Sequence, residues 1–215
     1  MESINNNAVR TGHNLFSFSG VSSAQRNDII DMLMFADCRA TQVWRPQSQW
    51  TSWINYYRSH VVSAGCQLKS LLVKQPMVIN SAHELDNISV EVAGSIRVSG
   101  LMDLVRRSFR ATQFNEQARH FFDSGIASGY FSTFQVVPCV SAGEDDVSIL
   151  ICGLHASATV SSDSRGGGLQ VNREMVVRLA GGVYNFNSEA FAPHRQRIQA
   201  RLLEVGRFNL EQLSL

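Results

Sequence analysis

The sequence lacks any run of about 18 or more apolar residues, so it encodes no transmembrane helix. Its first residues, MESINNNAVRTGHN, contain no hydrophobic signal core, which argues against export by a signal peptide. Charged residues make up only 17% and the net charge is +1, so no strong field favours a nucleic-acid partner. We therefore expect a protein that is made in soluble form and released or secreted without a signal peptide.

The spacings that mark catalytic, metal or cofactor sites are also missing. The cysteines form no CxxC pair, which favours reduced, buried thiols over the alternative of two disulfides. The glycines at 166–168 are not followed by the Lys-Ser/Thr of a phosphate-binding loop. The stretch GIASG at 125–129 has one residue too many for a nucleophile elbow. We expect no catalytic residue, no metal, no cofactor and no enzyme activity.

Helix signals dominate the first part of the chain. Ser22 and Gln25 form a capping-box pattern ahead of a predicted helix at about 26–38. Ser48 is the expected N-cap of a second helix. The apolar stripe of that helix, which we interpret as a core face, consists of Trp50, Trp53, Ile54, Tyr57 and Val61.

Further helices are predicted before and after the strands. Ser81 and Glu84 form a second capping-box pattern, and apolar residues from Leu101 onward predict a helix that runs on to about Phe122. The last predicted helix covers 189–203, with its regular part beginning near Pro193.

From Gly129 onward the apolar period changes from 3.6 to 2, which predicts three long strands at 131–140, 147–160 and 169–186. The stretch LQVNREMVVRL alternates almost without fault, as expected of a strand with one apolar and one polar face. We also expect a buried strand at 67–73 and a short strand at LFSFSG, residues 15–20. Residues 1–21 are otherwise expected to be a flexible segment.

The order of these elements predicts an α+β fold with three layers (α/β/α), in which helical hairpins wrap a central antiparallel sheet of long strands. No linker looks long enough to divide the chain, so residues 22–215 are expected to form a single domain.

Three stretches resemble one known family, the Cyt δ-endotoxins, which are cytolytic, pore-forming bacterial toxins. FSTFQVVPCVSAGEDDVSILICGLHASATV is similar to the family's long hairpin. REMVVRLAGGVYNFNSEAFAPHRQRI is similar to its next strand and last helix, and VEVAGSIRVSGLMDLVRRSF to its entry into a sheet-covering helix. The resemblance covers roughly residues 24–203.

The resemblance implies a toxin or virulence protein that binds membrane phospholipid directly and disrupts the bilayer. It implies a homodimer in solution and a homo-oligomer on the target-cell membrane. The amino terminus is shorter than in the family, so proteolytic activation stays open. A related fold in virulence factors that carry a fatty acid gives the alternative: a soluble carrier, without pores, acylated at Cys139 or Cys152 or holding the chain in a core cavity.

Under the first interpretation the helices at 26–38 and 99–111 cover the apolar strand face and swing away at the 161–168 and 94–100 connections. Arg106, Arg107 and Arg110 are then candidates for contact with lipid headgroups, with a solvated helix face as the alternative. Candidate insertion residues share the apolar side of the three long strands: Phe134, Val136, Val140, Leu150, Cys152, Leu154, Leu169, Val171, Met175, Val177 and Leu179.

Overall fold

The computed structural model describes residues 7–11, 13–72, 76–81, 83–84, 101, 104, 107–108, 114–124, 129–163, 170–205 and 211–214. Its strands are β1 (Asn7–Thr11), β2 (Asn14–Ser19), β3 (Gln67–Leu71), β4 (Met77–Ile79), β5 (Gly129–Ser141), β6 (Asp146–Asp163), β7 (Gln170–Asn187) and β8 (Glu211–Ser214). Its helices are α1 (Ser23–Val43), α2 (Trp50–Ser63), α3 (Phe114–Ser124) and α4 (Ser188–Val205). Leu101, Leu104, Arg107 and Ser108 are helical as well.

One sheet of eight strands forms the centre of the molecule, in the order β3-β7-β6-β5-β2-β1-β8, with β4 also paired to β7. The expected α+β class is confirmed. The expectation of a purely antiparallel sheet is corrected, because β2 pairs with β5 in parallel, Asn14 opposite Gln135. All other pairs are antiparallel. The long chain between β2 and β5 provides the crossover that a parallel pair requires.

Within the segment 1–21, which was expected to be flexible, residues 7–11 and 14–19 form strands of the sheet, whereas residues 1–6 and 12 lie outside the described residues. The predicted strand at LFSFSG is present as β2, and it lies between β5 and β1 inside the sheet. Leu15, Phe16 and Phe18 are buried there. Burying three large apolar side chains stabilises a fold by several kcal/mol, about 1.5–3 kcal/mol each, and this fixes the segment in place.

The sheet has two faces, each with its own core. We call one the Ile151 face, after the core that Val147, Ile149 and Ile151 form with α1, α2 and α4. The other is the Leu154 face, where Leu150 and Leu154 pack with residues that include Leu101, Ala118 and Phe121. Helical residues therefore lie on both faces.

On the Ile151 face, the apolar stripe of α2 and the capping box of α1 are both present as the sequence predicts. The predicted α2 stripe is buried along its whole length, from Trp50 to Val61. The predicted capping box of α1 is present, with the Gln25 N–H donating to Ser22 Oγ at 3.3 Å and the Ser22 N–H to Gln25 Oε1 at 3.1 Å. Ser48 is not the N-cap of α2; that position is Gln49, whose side chain makes no capping hydrogen bond.

Three further expectations are corrected in detail. β3 is not a buried strand, because it lies at the sheet edge with most of its side chains exposed. α4 begins at Ser188 rather than near Pro193, because Asn187 Oδ1 accepts from the backbone N–H groups of Glu189 and Ala190. Helix α1 packs on the Ile151 face, not on the apolar side that includes Leu154.

A buried polar network joins β2, α1 and α2. The Asp37 carboxylate accepts from His13 Nδ1 at 3.1 Å, from Asn14 Nδ2 at 3.0 Å and from the Thr41 hydroxyl at 3.1 Å. The Tyr57 hydroxyl donates to Asn14 Oδ1 at 2.9 Å. The hydrogen bond to Asp37 raises the pKa of His13 against the opposing effect of burial.

The His13–Asp37 contact predicts a pH-dependent stability. Because the pKa of His13 is raised in the folded state, its stabilising effect is complete below the unfolded pKa of about 6.5 and is lost as the pH rises through the raised value. We expect His13→Gln to lower the urea midpoint relative to the wild type by more at about pH 6 than at about pH 8; this comparison cancels the opposite dependence of His60 and His155, whose pKa values burial lowers. A difference between the two midpoints that does not change with pH would contradict the assignment.

Gly181 allows β7 to pass close to its neighbours. Its φ is +150°, and a Cβ there would overlap the Ile151 carbonyl oxygen of β6. We expect Gly181→Ala to destabilise the fold by about 1–3 kcal/mol, measured by urea unfolding, because the backbones must separate. Gly143→Ala is the matched control, since the nearest atom to its Cβ lies 3.9 Å away. Equal stability of the two variants would refute the explanation.

Candidate membrane-insertion sheet

β6 and β7 form the longest paired segment of the sheet. Their register runs without a shift from Asp146 opposite Asn187 to Asp163 opposite Gln170. Both strands have 18 residues, which at about 3.3 Å per residue corresponds to roughly 60 Å. A strand that crosses a bilayer needs only about 9–11 residues. β5 adds 13 residues on the other side of β6. The three predicted strands are confirmed: β5 and β6 are slightly longer than expected, and β7 has the expected length but is shifted by one residue.

The predicted insertion residues that the structure describes lie on the Leu154 face. Phe134 and Val140 are partly buried, Val171 is 46% exposed near the end of the hairpin, and Leu169 lies outside the described residues. The remaining candidates share burial in the core of this face: Val136, Leu150, Cys152, Leu154, Met175, Val177 and Leu179.

The opposite face of the same strands becomes polar beyond Ile151. Thr133 and Gln135 of β5 and His155 of β6 are buried there, and Arg178 of β7 is exposed. His155 Nε2 lies 3.2 Å from the Gln47 carbonyl oxygen, and its ring packs against Trp50. Burial lowers the pKa of His155, so the ring is held in its neutral form at neutral pH.

Several buried polar atoms of this region have no hydrogen-bond partner among the described residues. They are Trp50 Nε1, Thr133 Oγ1 and both side-chain polar atoms of Gln135. Each unsatisfied buried polar group costs about 1–3 kcal/mol. Thr133 and Gln135 were not predicted from the sequence as residues of this site, although polar residues at every second position of a predicted strand are the signal that marks them.

Hydrogen bonds between described residues connect helical residues to the Leu154 side of the sheet. Ser108 Oγ donates to Ser17 Oγ of β2 at 3.0 Å, and both serines are fully buried. Arg173 of β7 donates to the Phe122 carbonyl oxygen near the end of α3. Arg173 lies opposite Val160, close to the hairpin end of the ladder. Its charge is therefore at the margin of the apolar face.

Of the three arginines predicted to contact lipid headgroups, the structure describes Arg107, which is helical and half-buried. Arg106 and Arg110 lie outside the described residues. Of the connections expected to open, 94–100 and most of 161–168 also lie outside them, and residues 161–163 belong to β6.

The two candidate acylation cysteines lie on opposite faces, and each has 0% exposure. Burial raises the pKa of Cys152 to about 12 and raises that of Cys139 well above its usual value. Since the thiolate is the nucleophile that accepts an acyl group, neither cysteine is reactive in the closed fold.

Comparisons with known proteins add no assignment. No protein-family model matches the chain, and no curated protein matches it significantly. The resemblance to the Cyt δ-endotoxins therefore stays a prediction from sequence. Within the described part of the chain, no helix is long and apolar enough to cross a membrane.

The contact between Arg173 and α3 predicts a local effect on stability. Arg173→Gln removes the charge-assisted hydrogen bond to the Phe122 carbonyl, worth about 1.5–3 kcal/mol, and should accelerate amide exchange in α3. Arg178→Gln is the matched control, because Arg178 lies on the same strand but on the opposite face. Hydrogen exchange followed by mass spectrometry measures both. Equal acceleration of α3 in the two variants would rule out this contact as its anchor.

Proposed function

We propose that this protein binds membrane phospholipid directly and disrupts the bilayer in the manner of the Cyt δ-endotoxins. In this mechanism the helical residues on the Leu154 face separate from the sheet, and β5, β6 and β7 then place their apolar face against lipid. The observation that carries the proposal is the combination of three long, adjacent strands with one continuous apolar face.

The geometry of the ladder supports the lipid-facing role. A membrane strand must pair all its backbone groups within the protein, and β6 is paired with β7 along its whole length and with β5 from Val147 to Ala158. The apolar face spans from Leu150 to Ala158 on β6 and from Met175 to Val183 on β7. Arg173 lies beyond this band, where a charge costs about 0–1 kcal/mol rather than the roughly 2–4 kcal/mol of the bilayer midplane.

The other face of the strands stays covered in this mechanism. Its polar residues Thr133, Gln135 and His155 are buried, and the His155 ring packs against Trp50 of α2. Only the apolar Leu154 face therefore turns towards lipid.

The position of the candidate insertion residues determines which helical residues have to leave in this mechanism. These candidates pack with the helical residues Leu101, Ala118 and Phe121, whereas α1, α2 and α4 pack on the Ile151 face. We infer that α3 and the helical residue Leu101 leave the sheet, while α1 stays.

Dye release from liposomes tests the function directly. We expect the purified protein to release an encapsulated dye from vesicles of phosphatidylcholine with phosphatidylethanolamine, before or after mild proteolysis. A protein that leaves such vesicles intact under both conditions, with and without an added anionic lipid, would overturn the proposal. An intact mass raised by about 240 Da, roughly a palmitoyl chain of 16 carbons, together with intact vesicles would instead favour the acyl-carrier alternative.

A reversible lock tests the opening. Ser17→Cys/Ser108→Cys places two thiols where the hydroxyl oxygens are now 3.0 Å apart, and oxidation ties the helical cover to β2. We expect the oxidised variant to release no dye and the reduced variant to recover the wild-type rate. Ser17→Cys alone controls for the effect of one new thiol. Full release by the oxidised double variant, with the disulfide verified by mass, would show that this cover does not need to move.

A further inference from the structure

A groove of about 610 Å³ lies between the outer surfaces of α1, α2 and α4. Arg39 comes from α1, His60 and Ser63 from α2, and His194, Arg197 and Arg201 from α4. Its volume is within the range of about 300–1,000 Å³ that is typical of small-molecule sites. The groove belongs to the helical layer of the Ile151 face, so none of the proposed insertion residues lines it.

Positive charge exceeds negative charge in this groove. Glu204 is the one carboxylate of the lining, and it is already paired with Arg201. Arg39 donates to the neutral side chain of Gln42 at 3.1 Å, and Arg197 Nη2 lies 3.4 Å from His194 Nδ1. In these contacts the guanidinium groups of Arg39 and Arg197 therefore meet only the neutral side chains of Gln42 and His194.

His60 adds a polar atom that points to a ligand. Its Nε2 is buried and has no hydrogen-bond partner among the described residues. The ring is held edge-on between Phe35 and Tyr56, with centroid distances of 5.7 and 4.7 Å. Burial and the nearby Arg39 and Arg197 lower the pKa of His60. An anion beside the ring would counteract the two arginines and stabilise its protonated, donating form.

We propose that this groove binds the phosphoryl group of a phosphorylated ligand, with Arg39 and Arg197 as its principal contacts and His60 as a third donor. Guanidinium groups match the geometry of phosphate oxygens through paired N–H donors. A singly charged carboxylate would leave more of the positive charge unmatched. The phosphoryl group comes either from a lipid headgroup or from a soluble phosphate ester. The proposal stands on the groove alone and does not require bilayer disruption.

Two probes distinguish these sources. Inositol hexakisphosphate, titrated in solution by calorimetry, represents a soluble phosphate ester. Flotation with phosphatidylcholine vesicles that contain about one tenth phosphatidylinositol 4-phosphate, compared with vesicles of phosphatidylcholine alone, represents a headgroup. We expect Arg39→Gln/Arg197→Gln to weaken binding about tenfold or more, as the loss of charge-assisted hydrogen bonds implies. Arg10→Gln/Lys69→Gln removes the same charge from exposed positions outside the groove and should change binding less than about twofold.

A second measurement reports on the groove itself. The proton resonances of the His60 ring should titrate at a higher pH when inositol hexakisphosphate is present, whereas His155, which is outside the groove, should not respond.

If the double variant Arg39→Gln/Arg197→Gln fails to fold, the exposed Arg197→Gln alone replaces it in the binding experiments. Binding of the soluble probe, alone or with the vesicles, supports the site and its phosphoryl chemistry. Binding of neither probe, or an equal loss in the control variant, overturns it, whatever the outcome of dye release.

Discussion

The backbone hydrogen bonds between β6 and β7 extend over 18 residues of each strand without a change of register. Because side chains alternate across a strand, this one ladder determines both cores together. Ile149 and Ile151 are assigned to one core, and Leu150 and Leu154 to the other. A shift by a single residue would exchange the two sets, so every helix packed on the sheet depends on this register.

The two faces serve different purposes in the closed molecule. The Ile151 face carries large aromatic side chains and the Asp37 network, both of which fix α1 and α2 to the sheet. The core of the Leu154 face is apolar, and on the same side Ser17 accepts a hydrogen bond from a helical residue and Arg173 donates one to a helical residue. The two helical layers are therefore attached to the sheet by different kinds of contact.

The sequence predicted those features that depend on local patterns. The α1 capping box, the α2 stripe and the three long strands follow from spacing within one element, and all are present. The parallel pairing of β2 with β5 and the placement of α1 depend on contacts between distant segments, which periodicity does not encode. The arginine groove was missed for the same reason, since Arg39, His60 and Arg197 belong to three separate helices. The lipid role of the sheet stays a prediction.

The parallel pairing of β2 has a consequence for the order in which the chain acquires its structure. β2 can pair with β1 as soon as both are synthesised, but on its other side Asn14 pairs with Gln135 of β5, which is synthesised more than half a chain later. Until then the core around Phe16 and Phe18 lacks Val137 and Cys139 of β5. Such non-local contacts slow folding and expose intermediates to aggregation. The nascent polypeptide is therefore most vulnerable before β5 emerges.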